Sequence, residues 1–320
     1  MRDINNKVVT ITLNPALDLT GSIGKLNLGS VNLAEEGSLH AAGKGVNVAR
    51  VLSDLGAEVT VTGFLGRDND ALFSTLFSDM SADDQFIRVD GATRINVKLV
   101  EENGQVSDIN FPGVHVSEQA IKAFESKLWA LAETHQFFVL AGSLPTGITP
   151  ELCASWIKKL HEMGKKVIFD SSRAALVAGL TAQPWLIKPN DEELSELVGT
   201  KLTSAQACQQ AAEDLAAKGI DNVVVSLGEK GVIWLAKDQQ QQTQWYFSQP
   251  PKMTVVSTVG AGDTLVAGLC WGHLQGWQAE HILSFATALS ALAVSQVGVG
   301  VESLESVTEL QQKVTLNNLF

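Results

Sequence analysis

Short apolar runs and helix-period segments alternate along most of this chain. Residues 8–13 form a β-rich run that stops at Asn14-Pro15, because proline cannot donate to a strand ladder, and Asp18 follows in the loop. After Ala41-Ala42-Gly43-Lys44-Gly45-Val46-Asn47, the residues Val48, Val51, Leu52 and Leu55 recur at helical spacing, and Gly56 marks the stop. Residues 58–64 predict the next strand. In 93–100, Arg94, Asn96 and Lys98 alternate with Ile95, Val97 and Leu99, a strand with one polar face, and 108–111 predicts a partner beside it. The second half is plainer. Strands are expected at 137–140, 167–169, 185–187 and 223–225, and helices at 151–163, 191–198 and 204–218. A hairpin of 232–236 with 244–247 crosses a polar turn at 239–242. A strand-like run at 253–257 precedes two small-residue helices, 264–274 and 279–295.

This alternation implies an α/β fold, a mostly parallel sheet with helices on both faces. There is no fixed-period repeat and no Pro/Ser-rich linker, so residues 1–320 are read as one domain. Polar residues gather where strands end: Asn14, Asp18, Ser143, Asp170, Asn190, Ser226 and Asp263. Open α/β sheets bind ligands outside the carboxyl ends of their strands. Each of these residues alone reads as a loop polar residue or a cap; their shared position points to a site. The glycine-dotted segments at about 19–39 and 93–112 break the rhythm and are expected to form a small sheet over that site.

Composition narrows the classes. The chain has 320 residues, 45% of them hydrophobic, enough for a sizeable core. Its 23 basic and 35 acidic residues give a net charge of −12, which argues against a general nucleic-acid or anionic-membrane surface. Cys153, Cys208 and Cys270 show no metal or disulfide spacing, so a reducing compartment fits. The first nine residues lack a signal-peptide pattern, and the apolar segment 285–301 is interrupted by Thr287, Ser290, Ser295 and Gln296. The expectation is a soluble, cytoplasmic protein.

The candidate chemistry centres on Thr258-Val259-Gly260-Ala261-Gly262-Asp263. Backbone amides at a helix start bind anions. A carboxylate beside an anion site is explained if Asp263 is a base that takes a proton from an attacking hydroxyl. The alternative is an aspartate that only caps its helix. Gly43-Lys44-Gly45 opens another helix but fails the Walker pattern, since Gly45 stands where Ser or Thr is required. It suits an anion or a sugar hydroxyl, or else is a tight helix entry with a solvated lysine. Arg94 suits a bidentate phosphate clamp, or a solvated edge-strand arginine. Asn190 and Glu193 share a helix face, with Glu193 placed for Mg²⁺ or, with Asn190, for a capping arrangement. Residues 226–231 suit a nucleotide contact or a hairpin turn. The six histidines form no metal pattern, and no GxSxG or Rossmann glycine motif is present.

Two segments together, 41–49 (Ala-Ala-Gly-Lys-Gly-Val-Asn-Val-Ala) and 255–263 (Val-Val-Ser-Thr-Val-Gly-Ala-Gly-Asp), resemble the two signatures of the PfkB family of carbohydrate kinases, and the likeness runs from about residue 8 to 301. The resemblance implies a three-layer α/β/α ribokinase-like fold with a β-lid. It implies Asp263 as base, with the amides of Gly260, Ala261 and Gly262 as the anion hole. It assigns Asp18, Gly43, Lys44 and Asn47 to the sugar phosphate, Arg94 to its phosphate, and Ser143 to the same pocket. ATP is expected along Lys188, Asn190, Ser226, Gly228, Gly231 and Thr258 to Gly262, and Mg²⁺ at Glu193. Residues 12–18, 39–45, 93–98 and 169–173 are most similar to family members acting on fructose 1-phosphate, which would yield fructose 1,6-bisphosphate. Tagatose 6-phosphate or fructose 6-phosphate is the alternative acceptor, and a non-catalytic sugar-phosphate-binding regulator the alternative of another class. The lid often builds a dimer contact in the family, so a homodimer through it is the assembly implied.

Overall fold

Apolar runs at successive strand positions build the centre of the molecule. The computed structural model describes residues 6–237 and 242–317. The first half comprises β1 (Lys7–Thr12), β2 (Ala16–Ile23), β3 (Glu36–Ala42), α1 (Lys44–Asp54), β4 (Glu58–Gly66), α2 (Ala71–Asp79), β5 (Asp83–Asp84), β6 (Ile87–Val89), β7 (Ile95–Glu101), β8 (Val106–Ile109) and α3 (Glu118–Thr134). Then follow β9 (Phe137–Ala141), α4 (Pro150–Glu162), β10 (Lys166–Asp170), α5 (Arg173–Leu180), β11 (Leu186–Ile187), α6 (Asp191–Val198), α7 (Ala205–Ala216) and β12 (Asn222–Ser226). The chain closes with β13 (Val232–Lys237), β14 (Thr243–Gln249), α8 (Ala261–Leu274), α9 (Ala279–Ala293), α10 (Leu304–Gln311) and β15 (Thr315–Asn317).

The main sheet runs β15-β14-β13-β12-β11-β10-β9-β1-β4-β5, with β6 also on β4. From β12 to β5 and β6 its pairs are parallel; β12 to β15 are antiparallel. Neighbouring strand residues bury on opposite faces, as the pleat requires. Val8, Phe137, Val139 and Ile168 pack with α1, α8 and α9. Val9, Phe138, Leu140, Val167 and Phe169 pack with α3, α4 and α7. Hence these strands read as continuous apolar runs. A second sheet, β3-β2-β7-β8, sits apart.

The predicted α/β architecture and the strands of the second half are present. The run at 253–257 is not a strand. It is irregular, Val255 and Val256 are exposed, and the amides of Val256 and Ser257 bond to the Val294 carbonyl at 2.7 and 3.2 Å. The outer side of β14 is taken by β15 instead. A short β-branched run carries no periodicity, so only competition for the sheet edge could decide it. The polar turn expected at 239–242 lies, but for Gln242, outside the described residues. Among the described residues, no helix is long and apolar enough to cross a membrane.

Candidate active site

The carboxyl ends of β1, β9, β10, β11 and β12 carry the polar residues singled out from the sequence, and α8 begins beside them. Helices α3, α4, α6 and α7 each start on a side-chain cap, from Ser117, Thr149, Asn190 and Ser204. Helix α8 starts on Gly260, with no side-chain cap. Gly260 has φ of 81°, the left-handed region that favours glycine, and a Cβ there would run into Val299 Cγ2. The Thr264 amide reaches the Gly260 carbonyl at 2.8 Å, and Ala261 makes a long 3.4 Å bond to the Thr258 carbonyl. The amides of Gly260, Gly262 and Asp263 have no such partner among the described residues. They are orphan donors at the positive end of a helix dipole.

Asp263 lies in the first turn of α8 without capping it. Its side chain is turned to α1, where Asn47 Nδ2 donates to its Oδ2 at 2.7 Å. Asp263 is 7% exposed. Burial, reinforced by the nearby Asp170 charge, pushes its pKa up to about 6 against the pull of Asn47, Lys44 and Lys188. A carboxylate poised there can accept a proton near neutral pH and give it up again.

Lys44 opens α1 because the glycines around it let the backbone come close to β1. Gly43 has φ of 137°, and a Cβ on Gly45 would collide with Thr12 Oγ1. The Lys44 ammonium lies 3.3 Å from both oxygens of Asp170. Lys188 reaches Asp170 Oδ1 at 3.5 Å. Burial works against the charge on Lys44, but Asp170, Asp263 and Glu193 outweigh it and raise its pKa. Lys188 Nζ also stands 3.5 Å from where a Gly262 Cβ would be, so it lies against the first turn of α8.

Next to this cluster, Gly142 donates its amide to the Asp170 carbonyl at 2.9 Å, which brings Ser143 alongside. Asn14 Nδ2 donates to Ser143 Oγ at 3.1 Å. The Arg94 guanidinium donates to the carbonyls of Pro15, Phe111 and Asn14 at 3.2, 3.2 and 2.9 Å, and reaches Ser143 Oγ at 3.5 Å. None of the ion pairs among the described residues includes it. Burial lowers its pKa and Asp18 opposes that, but a guanidinium stays charged. Neutral carbonyls therefore orient a cation with no counter-ion of its own. Asp18, by contrast, is engaged by Lys98 at 2.7 Å and Asn96 at 3.2 Å from the adjacent strand.

Asn190 and Glu193 form a capping box: the Glu193 amide donates to Asn190 Oδ1 at 2.7 Å and the Asn190 amide to Glu193 Oε2 at 3.0 Å. The capping arrangement considered from spacing is therefore present, and it fixes the Glu193 side chain without consuming Oε1. Asn190 bridges to Ser226. Gly228 has φ of 59° and Gly231 116°, with a Gly231 Cβ running into the Ser248 carbonyl, so 226–231 is also the tight β12–β13 turn. Among the described residues, no hydrogen bond or ion pair joins the Thr258 side chain to the lysine–aspartate cluster, and Gly228 and Gly231 carry no side chain.

Asp170 was named from sequence only as a polar strand end, yet it is the anion between both lysines. Asn14 likewise links Ser143 to Arg94. The available signal was the same for each: a polar residue terminating an apolar strand.

The profile of the pfkB family carbohydrate kinase matches residues 6–306. A 1-phosphofructokinase of Vibrio cholerae is 63% identical over 317 residues, covering 99% of this chain and 98% of its own. An Escherichia coli 1-phosphofructokinase is 45% identical over 313 residues, covering 98% and 99%. The crystal structure of phosphofructokinase-2 from Escherichia coli in complex with potassium superposes with a TM-score of 0.87 at 26% identity, over 96% of this chain and 98% of that one.

Proposed function

The chain belongs to the pfkB family of carbohydrate kinases, and from that membership we infer that it transfers the terminal phosphoryl group of ATP to fructose 1-phosphate, giving fructose 1,6-bisphosphate. The observation that carries the chemistry is Asp263, a buried carboxylate with a raised pKa beside free amides of α8. Its carboxylate takes the proton of the acceptor hydroxyl as that oxygen bonds to the terminal phosphorus. The bond from that phosphorus to the bridging oxygen breaks and ADP leaves. The α8 amides and the ammonium groups of Lys44 and Lys188 hold the spreading charge. Arg94, Ser143 and Asn14 hold the phosphate that the sugar already carries, and Asp18, Gly43 and Asn47 the sugar. The turn at Ser226 to Gly231 and Asn190 line the nucleotide. Together these contacts supply the in-line placement that phosphoryl transfer needs.

Glu193 fits Mg²⁺. Among the described residues no cage of three acidic, His or Cys side chains exists, and Mg²⁺ needs none, since it retains waters and binds one or two carboxylates plus substrate phosphates. Bound there, the ion would neutralise phosphate charge.

The small sheet supports a lid within a single kinase domain. Its sides are inverted relative to a water-facing sheet: Asp18, Asn96 and Lys98 are sheltered, while Leu19, Leu39, Ile95 and Ile109 are exposed on the other side. A second copy covering that apolar side, a homodimer through the lid, would remove the exposure; light scattering at assay concentration tests it. Three free, buried cysteines and a phosphorylated intracellular substrate agree with the cytoplasm.

The test is ADP release from ATP with fructose 1-phosphate, fructose 6-phosphate, tagatose 6-phosphate, fructose and ribose. The highest kcat/KM is expected with fructose 1-phosphate. A higher value on another acceptor overturns the specificity, and no ADP above background with any acceptor overturns catalysis in favour of a binding protein.

A further inference from the structure

Two lysines share one buried carboxylate at the centre of the site. Asp170 is 1% exposed and Lys188 5%. Asp170 ends β10, paired with Ala141 of β9, and the preceding Phe169 is held on both sides, opposite Leu140 and Ile187. Its carboxylate takes Lys44 from α1 at 3.3 Å and Lys188, at the end of β11, at 3.5 Å. A buried carboxylate is costly unless paired. Here it is paired twice, and each ammonium is thereby held short of free rotation. Without it, two ammonium groups would share one pocket with Asp263, and Glu193 acting on Lys44, left to offset them.

We propose that Asp170 is a positioning residue for phosphoryl transfer, which fixes Lys44 and Lys188 against the first turn of α8 and keeps the local charge balanced until Asp263 takes its proton. The idea rests on Asp263 being the base. Before transfer, the two ammonium groups of Lys44 and Lys188 are balanced by the two carboxylates of Asp170 and Asp263, with Glu193 further out on the Lys44 side. When Asp263 accepts the hydroxyl proton, the cluster gains one positive charge, at the moment the transferring phosphoryl group needs it. The groups facing Asp263 are Lys44 and Asn47 from α1, Asp170 from β10 and Lys188 after β11, with Glu193 of α6 acting on Lys44. Among the described residues facing Asp263 directly, Asp170 is the anion, and it favours the protonated form.

The experiment compares Asp170→Asn and Asp170→Glu with the parent enzyme, reading kcat and the pH dependence of kcat/KM. The substrate phosphates titrate alike in all three, so only differences between enzymes are read. In Asp170→Asn the acidic midpoint moves down by roughly half a unit or more, because the anion that favours protonation is gone, and kcat falls about 10- to 100-fold from lost placement. Asp170→Glu keeps the charge one methylene further out: the midpoint returns and kcat stays low. An unmoved midpoint in a folded Asp170→Asn enzyme overturns the proposal, since a residue needed only for stability would leave it in place. If Asp170→Asn does not fold, the glutamate variant decides alone, and parental kcat overturns the proposal. Asp263→Asn, run alongside, separates the failures: turnover retained there sinks the base, whereas an unmoved midpoint with Asp263→Asn inactive sinks only Asp170.

Discussion

Replacing Asp263 with asparagine is expected to make the protein more stable and nearly inactive at once. The carboxyl titrates at about 6 in the folded protein against an ordinary 3.8. The folded state therefore holds its proton more tightly than the unfolded chain does. Between those two values the native state binds more protons, so stability falls as pH rises. The loss is complete about one unit above 6 and amounts to about 3 kcal/mol, at 1.36 kcal/mol per pH unit. Asparagine carries no charge and keeps the shape, so it escapes that loss. The stability difference, variant minus parent, should grow by about 2.5 kcal/mol from about pH 4 to about pH 7.5. Urea unfolding of both proteins across that range, at fixed ionic strength, measures it. On the same preparations kcat should fall ~10²–10⁴-fold, about 2.7–5.4 kcal/mol of barrier. A difference that does not change with pH refutes the electrostatic argument. A kcat near the parent value refutes Asp263 as base. The parent's kcat/KM should lose activity as pH falls through about 6, the protonated carboxyl being unable to accept a proton.

Three further expectations test the rest of the site. Arg94→Ala removes a guanidinium held by neutral groups and paired with no carboxylate among the described residues, so KM for the sugar phosphate should rise about 100-fold while kcat changes less; an unchanged KM in steady-state kinetics excludes it as the phosphate clamp. Glu193→Gln can keep the capping box, since glutamine serves there too, so the thermal midpoint should hold while the Mg²⁺ concentration for half-maximal rate rises several-fold; an unchanged Mg²⁺ titration removes Glu193 as a ligand. Gly260→Ala must hold a left-handed φ and push Val299 aside, which should cost about 1–3 kcal/mol in chemical denaturation; equal stability would contradict the tight α8 entry.

Much of the fold was legible because parallel strands buried on both faces must be apolar throughout, and these runs are. The helix entries were legible for a similar reason: Gly43, Gly45 and Gly260 sit where backbone must approach closely or turn with positive φ. The β-branched run at 253–257 misled because its composition suits a strand while the edge it would need belongs to β15. Helices α2, α3, α5 and α10 are not among the elements expected from the pattern, although Ser117 before α3 is a cap signal in plain view.

The sequence by itself determined the alternation of strands and helices, the residues that end the strands, and the glycines that open α1 and α8. Tertiary structure alone decided what those residues do to one another. Asn47 and Asp263 meet across 216 positions, and Lys44 and Asp170 across 126. The reason is physical: propensity and periodicity act over a few residues, whereas charge, burial and the pKa they set depend on distances that only the closed sheet brings to a few ångströms. Asp263 was readable as a carboxylate beside a helix start; its proton affinity belongs to the fold.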